Sequence, residues 1–441
     1  MKIMKKRYLI MLVLVFLLSG ICISCGREKT AQLSLQEDTS TEEEITLSIY
    51  AQYSQEDTKI PYDYAVRELE KEYPNVKLNL IVQSEDDGET LETLAAIGRL
   101  PDIFQANRNI VNTLRESNQV MQLDEIAEDS GYLDKLYQRY EEMVYSDDGH
   151  IYCFPYAGDE YVLCYYNKEI FEQCNLEVPK TFEELLHCIE VFQANDIIPL
   201  ALFGQEGWVT TAMYDVIATR FSPGGIQDLD DQKADVTDGG YVKAAEILSR
   251  LAEAGMFQSG VTTTNYDQAS EMFLNGEAAM FLNGQWYIPE ADEKLGDAVD
   301  WMFFPALDEE SYEKGKTAFV GGGSCSGYAV NPDGEYAELA AEVAEFLAEK
   351  YCEAKVMYRG NPMVALNTGA RPVEEYQPMM RKLYEMTPYI TSTTNYTWGL
   401  ENAILNESIM INSQGLVSGQ YTADEFVKGV SSAMKKMRKS K

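Results

Sequence analysis

The chain of 441 residues carries 72 acidic and 36 basic residues, which gives a formal net charge of −36 at pH 7. A surface this acidic repels nucleic acids and anionic lipid head groups, so neither is expected as a binding partner. Hydrophobic residues make up 45% of the chain, and its length exceeds that of one ordinary core, so we expect at least two lobes.

The histidine and cysteine content argues against metal and redox sites. His150 and His187 are the only histidines, which leaves a zinc site or a histidine-based catalytic triad poorly supplied. No Cys-x-x-Cys pair lies beyond residue 25, so we expect neither a metal nor a cofactor. The later cysteines fit buried thiols, although disulfides stay possible in an exported protein. They are Cys153, Cys164, Cys174, Cys188, Cys325 and Cys352.

Residues 1–25 have the pattern of a lipoprotein signal peptide. Basic residues at the start are followed by a long, almost wholly apolar run. The tripeptide Ser24-Cys25-Gly26 then predicts cleavage before Cys25 and lipidation of its thiol, which places the protein on the extracellular face of the cell membrane. Plain secretion and an uncleaved anchor are the alternatives. Residues 26–44 are rich in Thr, Ser, Glu and Gln and predict a flexible tether.

The next part of the chain predicts a parallel sheet. Residues 45–50 and 76–82 alternate between apolar and polar side chains, as strands do, and residues 101–104 start a third strand. One helix that starts at Pro61 and a second that spans about residues 89–99 separate these strands. This order predicts parallel strands joined by right-handed crossovers. Ligands of such sheets lie beyond the carboxyl ends of the strands. We therefore expect ligand contacts from Gln52, Tyr53, Gln105 and Asn107.

A central stretch predicts the passage of the chain from one lobe to the other. Residues 151–154 and 161–166 are β-prone runs, and the small or polar residues 157–160 lie between them. Candidate ligand residues at this crossing are Tyr156, Asp159 and Glu160. The two carboxylates are candidate hydrogen-bond acceptors, and a solvated surface charge is the alternative for each.

Two tryptophans follow predicted strands in glycine-flanked loops. Trp208 lies after a strand at residues 197–203. Trp286 lies after a strand at residues 278–282, with Gly284 turning the chain between them. Both stand where α/β clefts form, and a tryptophan face can stack on an apolar ligand face. A core tryptophan is the alternative for each.

Three further patterns organise the rest of the chain. Residues 301–307 are apolar and broken by a proline, which predicts a second crossing between lobes. Residues 321–324 predict a tight loop in which the backbone at Gly322 approaches the ligand. A phosphate-binding loop is the alternative, but the continuation that such a loop needs is absent. Capping-box spacing at Thr181 and Thr422 predicts the starts of two helices.

Together these segments resemble the extracellular solute-binding proteins of sugar-type ABC importers, the maltose-binding-protein-like family. The resemblance rests on five motifs: Gly98-x-x-Pro101-Asp102-Ile103, Gly149-x-Ile151-Tyr152-x-x-Pro155, Tyr165-Tyr166-Asn167-Lys168-x-x-Phe171, Pro179-Lys180-Thr181-Phe182-x-Glu184-Leu185, and Phe273-x-x-Gly276 with Gly284-x-Trp286. Maltose-type members have an aromatic residue where this chain has Gln105, so a maltose-like ligand is not implied.

The resemblance implies a two-lobed α/β fold of the periplasmic-binding-protein type (type II). Each lobe has a mainly parallel sheet flanked by helices, and the ligand cleft lies between the lobes. Lobe 1 is expected at residues 45–158 and 304–351, and lobe 2 at residues 159–303 and 352–441. Similarity to the helical cap of the family adds Tyr396 and Trp398 to the candidate ligand residues.

The resemblance also implies a function for the chain. It describes a monomeric, non-enzymatic protein that captures a mono- or oligosaccharide and delivers it to an ABC permease in the membrane. Capture is expected to proceed by hinge closure at residues 157–160 and 304–306. Two alternatives stay open. One is a surface carbohydrate-active enzyme, which needs two carboxylates at catalytic separation. The other is the ligand-binding adaptor of a membrane sensor kinase.

We expect Cys25→Ser to release the processed protein from the membrane fraction, because a serine cannot carry the thioether-linked lipid that would hold it there. Cell fractionation followed by immunoblotting measures the distribution. Ser24→Ala is the matched control, since a small residue still precedes the cysteine. A processed Cys25→Ser protein that stays with the membrane contradicts the assignment.

Overall fold

The computed structural model describes residues 44–84, 88–141, 143–323 and 326–439, without the side chain of Trp398. The predicted signal peptide, the lipidation at Cys25 and nearly all of the predicted tether lie outside the described residues. They stay predictions.

The described chain forms strands that assemble mainly into two five-stranded sheets. The strands are β1 (Ile45–Ala51), β2 (Val76–Val82), β3 (Ile103–Ala106), β4 (Phe154–Pro155), β5 (Asp159–Asn167), β6 (Ile198–Ala201), β7 (Ala278–Gly284), β8 (Val299–Met302), β9 (Ala318–Phe319), β10 (Gly321–Gly323), β11 (Gly327–Val330) and β12 (Ser392–Thr393). The last of these pairs only with β9, in a small separate ladder.

Helices flank both sheets. They are α1 (Glu56–Glu72), α2 (Glu89–Ala96), α3 (Arg108–Glu116), α4 (Asp124–Asp129), α5 (Tyr132–Lys135), α6 (Lys168–Gln173), α7 (Phe182–Ala194), α8 (Gly207–Ala218), α9 (Gly225–Asp230), α10 (Gly239–Glu253), α11 (Tyr266–Leu274), α12 (Ile288–Leu295), α13 (Glu309–Gly315), α14 (Ala337–Arg359), α15 (Pro378–Met386), α16 (Ala403–Val417) and α17 (Ala423–Met437). Short 3₁₀ turns lie at Gln138–Tyr140, Val261–Thr263, Gln285–Tyr287, Gly296–Ala298, Thr387–Tyr389 and Thr397–Gly399.

The first sheet has the strand order β2-β1-β3-β11-β4. Strands β1, β2 and β3 are parallel, as the alternating pattern predicts, while β11 runs antiparallel to β3 and β4. The inward residues of β1, such as Leu47 and Ile49, are fully buried. Helices α1 and α14 pack together over this sheet. We call these elements the first lobe.

The second sheet has the order β10-β5-β7-β6, with β8 paired to the other part of β5. Only β6 and β7 are parallel; β5 runs antiparallel to β7, β8 and β10. The predicted two-lobed α/β fold is confirmed, but both sheets are mixed rather than mainly parallel, since antiparallel strands pair in each of them. We call the second sheet and its helices the second lobe.

The chain passes between the lobes at places that differ in part from the prediction. The first passage lies between β4 and β5, as expected. Residues 304–306 lie inside the second lobe instead, because the backbone groups of Ala306 hydrogen-bond with Lys180 and Phe182 at 2.9 Å. The return to the first lobe lies between β10 and β11. The predicted end of the first lobe at residue 351 is also too early. Helix α14 continues to Arg359, and Leu366 still packs in the core of the first lobe.

Helix starts follow their caps. The capping boxes at Thr181 and Thr422 are confirmed. Helix α1 begins at Glu56 rather than at Pro61, because Gln55 and Thr58 cap it and the proline is accommodated inside the helix.

Within the part of the chain described, no helix is both long and apolar enough to cross a membrane.

A buried carboxylate connects helix α8 to the segment around β12. Asp215 is fully buried, and its side chain accepts hydrogen bonds from the hydroxyl of Thr394 at 2.7 Å and from the N–H of Ile226 at 2.9 Å. Burial raises the pKa of Asp215 to about 7, although both hydrogen bonds and the nearby Arg220 oppose the rise. The carboxyl group therefore binds a proton more readily in the folded protein than in the unfolded chain.

We expect Asp215→Asn to make unfolding less dependent on pH. Between its ordinary pKa of 3.8 and about 7, this carboxyl binds more protons in the folded state than in the unfolded state. Its contribution to stability is therefore full at acidic pH and is lost as the pH rises through 7. Denaturant melts at pH 5 and pH 8 measure this. From pH 5 to pH 8, the free energy of unfolding of the wild type should fall by on the order of 2 kcal/mol more than that of the variant. The exposed Asp129→Asn is the control, and a pH-independent difference for Asp215→Asn contradicts the expectation.

Candidate ligand-binding cleft

A cavity of about 230 Å³ is lined by residues of both lobes. Those from β1 to α3 are Tyr50, Gln52, Ser54, Gln55, Asp57, Thr58, Gln83, Ser84, Gly88, Leu91, Gln105, Ala106, Asn107 and Ile110. Those from the rest of the chain are Tyr156, Ala157, Glu160, Glu206, Trp208, Tyr266, Trp286, Ser326, Tyr351, Lys355, Asn361, Met363 and Val364. The first lobe thus supplies most of the amides and hydroxyls, while both tryptophans of the lining, Trp208 and Trp286, come from the second lobe.

The amides of the first lobe present hydrogen-bond donors. The N–H of Gln52, just after β1, donates to Oε1 of Gln105 at 3.0 Å. Oδ1 of Asn107 accepts from the N–H of Ile110 at 3.0 Å and so caps α3. Because both side-chain oxygens are engaged within the protein, the NH₂ groups of Gln105 and Asn107 are the groups that can donate to a ligand.

Two tryptophans form the aromatic wall. The ring centroids of Trp208 and Trp286 are 5.7 Å apart. The Nε1–H of Trp208 donates to Glu206 at 2.7 Å, which satisfies its one donor, and the ring, although only 7% exposed, contributes to the cavity lining. Tyr396 is 2% exposed and does not line the cavity. Its centroid lies 5.7 Å from that of Trp208 and 6.1 Å from that of Trp286, so it supports both rings from behind.

The position of the Trp286 ring depends on the glycine two residues before it. Trp286 lies in the turn Gln285–Tyr287 directly after β7, at the strand end where the sequence predicts it. A Cβ at Gly284 would lie 2.2 Å from a ring atom of Trp286. The ring therefore rests against the backbone of Gly284, and any larger residue there would displace it.

Glu160 brings a carboxylate to the cavity at the first passage between the lobes. It is the second residue of β5 and is half-buried. Burial raises the pKa of Glu160 to about 7; the positive charge of Lys355 lowers it, and the negative charges of Asp57 and Asp159 raise it. The group can therefore act as a donor or an acceptor near neutral pH.

An ion-pair cluster of the first lobe adjoins Glu160. Asp57 in α1 pairs with Lys355 and, through Oδ1, with Nε of Arg359 at 3.3 Å. All three side chains are at most 11% exposed. Because opposite charges pair, the cluster holds Lys355 at the cavity while it ties the start of α1 to the end of α14.

Four of the predicted ligand residues whose side chains are described do not line the cavity. The hydroxyl of Tyr53 donates to Asp63 at 2.9 Å, outside the cleft. Gly322 lies in β10, paired with Glu160, so the glycine run forms a strand rather than a loop that approaches a ligand. Asp159 pairs with β10 in the same way, and Tyr396 lies behind the wall. The side chain of Trp398 lies outside the described residues.

The structure brings residues to the cavity that the sequence patterns did not indicate. The ion pair of Asp57 with Lys355 joins positions 298 residues apart, and no local pattern signals such a contact. Tyr266 and Asn361 also reach the cavity only through the fold. Glu206 is different, because it lies two residues before Trp208 in a polar loop. Its closeness in sequence to a predicted ligand tryptophan could have indicated that it reaches the cavity.

The described residues contain no group of three or more His, Cys, Asp or Glu side chains arranged to hold a metal ion. The five described cysteines beyond the tether, Cys153, Cys164, Cys174, Cys188 and Cys352, are not in disulfides.

The family model and the most similar relatives point to the same protein family. Residues 54–350 match the model of the family described as bacterial extracellular solute-binding protein. An ABC transporter extracellular-binding protein of Pyrococcus horikoshii is 25% identical over 293 residues, which cover 64% of this chain and 65% of that protein. The multiple sugar-binding protein of Streptococcus mutans is 22% identical over 430 residues, which cover 92% of this chain and 94% of that protein.

Solved structures share the fold at low identity. A protein studied for xylan utilisation by Caldanaerobius polysaccharolyticus superimposes with a TM-score of 0.77 at 24% identity, covering 88% of this chain and 99% of the other. A chitin oligosaccharide binding protein gives a TM-score of 0.76 at 21% identity, covering 89% and 98%.

We expect Trp286→Ala to cost much less stability than Trp301→Ala. Trp301 is 1% exposed in the core of the second lobe, and truncating such a side chain costs about 3–5 kcal/mol. Trp286 borders the cavity and is only partly buried, so its truncation should cost about 1 kcal/mol. Denaturant melts of both variants measure the difference. Equal losses would assign Trp286 to the core rather than to the cleft.

Proposed function

Because the chain belongs to the bacterial extracellular solute-binding proteins, we propose that it captures an extracellular saccharide and delivers it to the permease of an ABC importer. The observation that carries this proposal is the pairing of two unlike walls around one cavity. The ring faces of Trp208 and Trp286 suit the apolar C–H face of a sugar, and the amides of Gln105 and Asn107 suit its hydroxyl oxygens.

The size of the cavity favours a short saccharide. Its volume of about 230 Å³ lies below the roughly 300–1,000 Å³ of typical small-molecule pockets. A mono- or disaccharide therefore fits this conformation better than a long chain. The names of the Streptococcus mutans relative and of the chitin oligosaccharide binding protein support a carbohydrate as the ligand class.

Capture proceeds by hinge closure in this proposal. The hinge lies at residues 156–158, where the chain first passes between the lobes, rather than at residues 304–306, which lie inside the second lobe. Glu160 and Tyr156 stand beside this passage and line the cavity, so a ligand that contacts them couples its binding to the angle between the lobes.

The setting of the protein completes the proposal. Lipidation of Cys25 would anchor a monomer on the extracellular face of the membrane, and residues 26–44 would let it reach the permease. The ligand is held and released without hydrolysis, so the chain acts as a binding protein and not as an enzyme.

The test is a saccharide screen on the full-length protein in detergent micelles. Mono- to tetrasaccharides of the xylo-, cello-, chito- and raffinose series are tested by thermal shift, and hits by calorimetry and small-angle scattering. We expect at least one to raise Tm, to lower the radius of gyration at saturation, and to be recovered chemically unchanged. Failure of every saccharide to bind contradicts the proposed function.

Trp286→Ala provides the residue-level test with a hit from that screen. Loss of the stacking face should weaken binding by about 2 kcal/mol, roughly thirtyfold. The control is Tyr389→Ala, which removes a ring of the second lobe that is 68% exposed and does not line the cavity. Unchanged affinity of Trp286→Ala removes this residue from the site.

A further inference from the structure

Few charged side chains reach the cleft, and most are negative. Of the described residues, Asp57, Glu160 and Glu206 are the carboxylates that line the cavity, and Lys355 is the only Lys or Arg there. The charge that a ligand meets therefore depends on what these four groups already contact.

The positive charge of the cavity is committed to the protein. Lys355 pairs with Asp57, and both side chains are about nine-tenths buried. Arg359 lies on the other oxygen of Asp57 and does not line the cavity. A ligand anion would have to take Lys355 from Asp57, and breaking a buried pair leaves an uncompensated charge behind.

The two remaining carboxylates differ in what they contact. Glu206 accepts the Nε1–H of Trp208. The carboxylate of Glu160 makes no hydrogen bond to any residue that the structure describes, although it borders the cavity in a half-buried position. It is an acceptor placed where a ligand can satisfy it.

We propose that the cleft selects saccharides by charge: it binds neutral saccharides and amino sugars and rejects uronates, with Glu160 as the residue that sets the selection. This inference rests on the proposed function and adds the ligand class to it. A neutral sugar donates a hydroxyl hydrogen to Glu160. An amino sugar donates from a protonated amine, which adds attraction between opposite charges.

A uronate meets the opposite situation. Its carboxylate enters a cavity that already holds Glu160, and among the described lining residues the one cation, Lys355, is paired with Asp57. Like charges in a partly dehydrated site repel strongly, because little water is left to screen them. Since the raised pKa of Glu160 reflects its burial, that screening is already weak before a ligand arrives.

The experiment compares matched sugars that differ only in charge. Cellobiose, the β-1,4-linked glucosamine dimer and cellobiouronic acid form one set; galactose, galactosamine and galacturonate form the other. Calorimetric titration of the full-length protein in detergent at pH 8, above the pKa of about 7 that burial gives Glu160, keeps that carboxylate mostly ionised and gives the affinity of each sugar. In any set that binds, we expect the uronate to be weaker than the neutral sugar by roughly tenfold or more, and the amino sugar to be at least as tight.

Two variants separate selection from general damage, since the readout is the affinity ratio within a set. Glu160→Gln keeps the shape of the side chain and removes its charge, so the ratio of neutral to uronate affinity should fall at least fivefold towards one. Glu172→Gln is the matched control: it removes an exposed carboxylate of α6 in the same lobe and should leave the ratio unchanged.

The outcomes distinguish this inference from the proposed function. A uronate that binds as tightly as its neutral partner overturns charge selection and leaves saccharide capture standing. An unchanged ratio in Glu160→Gln overturns the role of Glu160. If no saccharide in either set or in the wider screen binds, the proposed function and this inference fall together.

Discussion

The cleft depends on how closely the chain packs where it passes between the two lobes. A Cβ at Gly158 would lie 2.7 Å from backbone atoms of Met363 and Val364, and Ala157 pairs with Val364 as an isolated bridge. The first passage between the lobes and the segment at residues 363–364 therefore lie backbone against backbone, with no side chain of residue 158 between them. This contact sets β5 directly after the passage, and β5 brings Glu160 to the cavity.

The same arrangement explains why charge collects in one place. Helix α1 begins just after β1 and α14 ends just before the segment that packs on Gly158, so Asp57 and Lys355 meet beside the passage. Both are shielded from water, and their pairing offsets part of the desolvation that burial costs. Glu160 comes from the other lobe and shares this environment without sharing the pair, which is why burial raises its pKa.

The sequence predicted local features and failed where distant segments decide. Alternation in residues 45–50 and 76–82 predicted β1 and β2 because one face of each strand is buried, and Thr181 predicted a helix start because capping is local. The end of the strand before Trp286 could also be predicted, because it depends on local residues. The apolar run at residues 301–307 resembles a passage between lobes, but hydrogen bonds from Ala306 to a segment near Thr181 hold it in the second lobe. Tyr53, next to Gln52 at a strand end, was expected at the cleft and instead bonds to Asp63, since residues on opposite faces of an extended chain diverge.

The closeness of Trp208 and Trp286 has an optical consequence. Of the protein's four tryptophans, these two border the cavity with centroids 5.7 Å apart, while Trp301 is enclosed in the core beside Lys382. Indole emission responds to the polarity and quenching groups around the ring. Exclusion of water from the cavity thus changes the environment of two fluorophores while Trp301 keeps its own. The molecule carries an intrinsic reporter of cleft occupancy that needs no attached label.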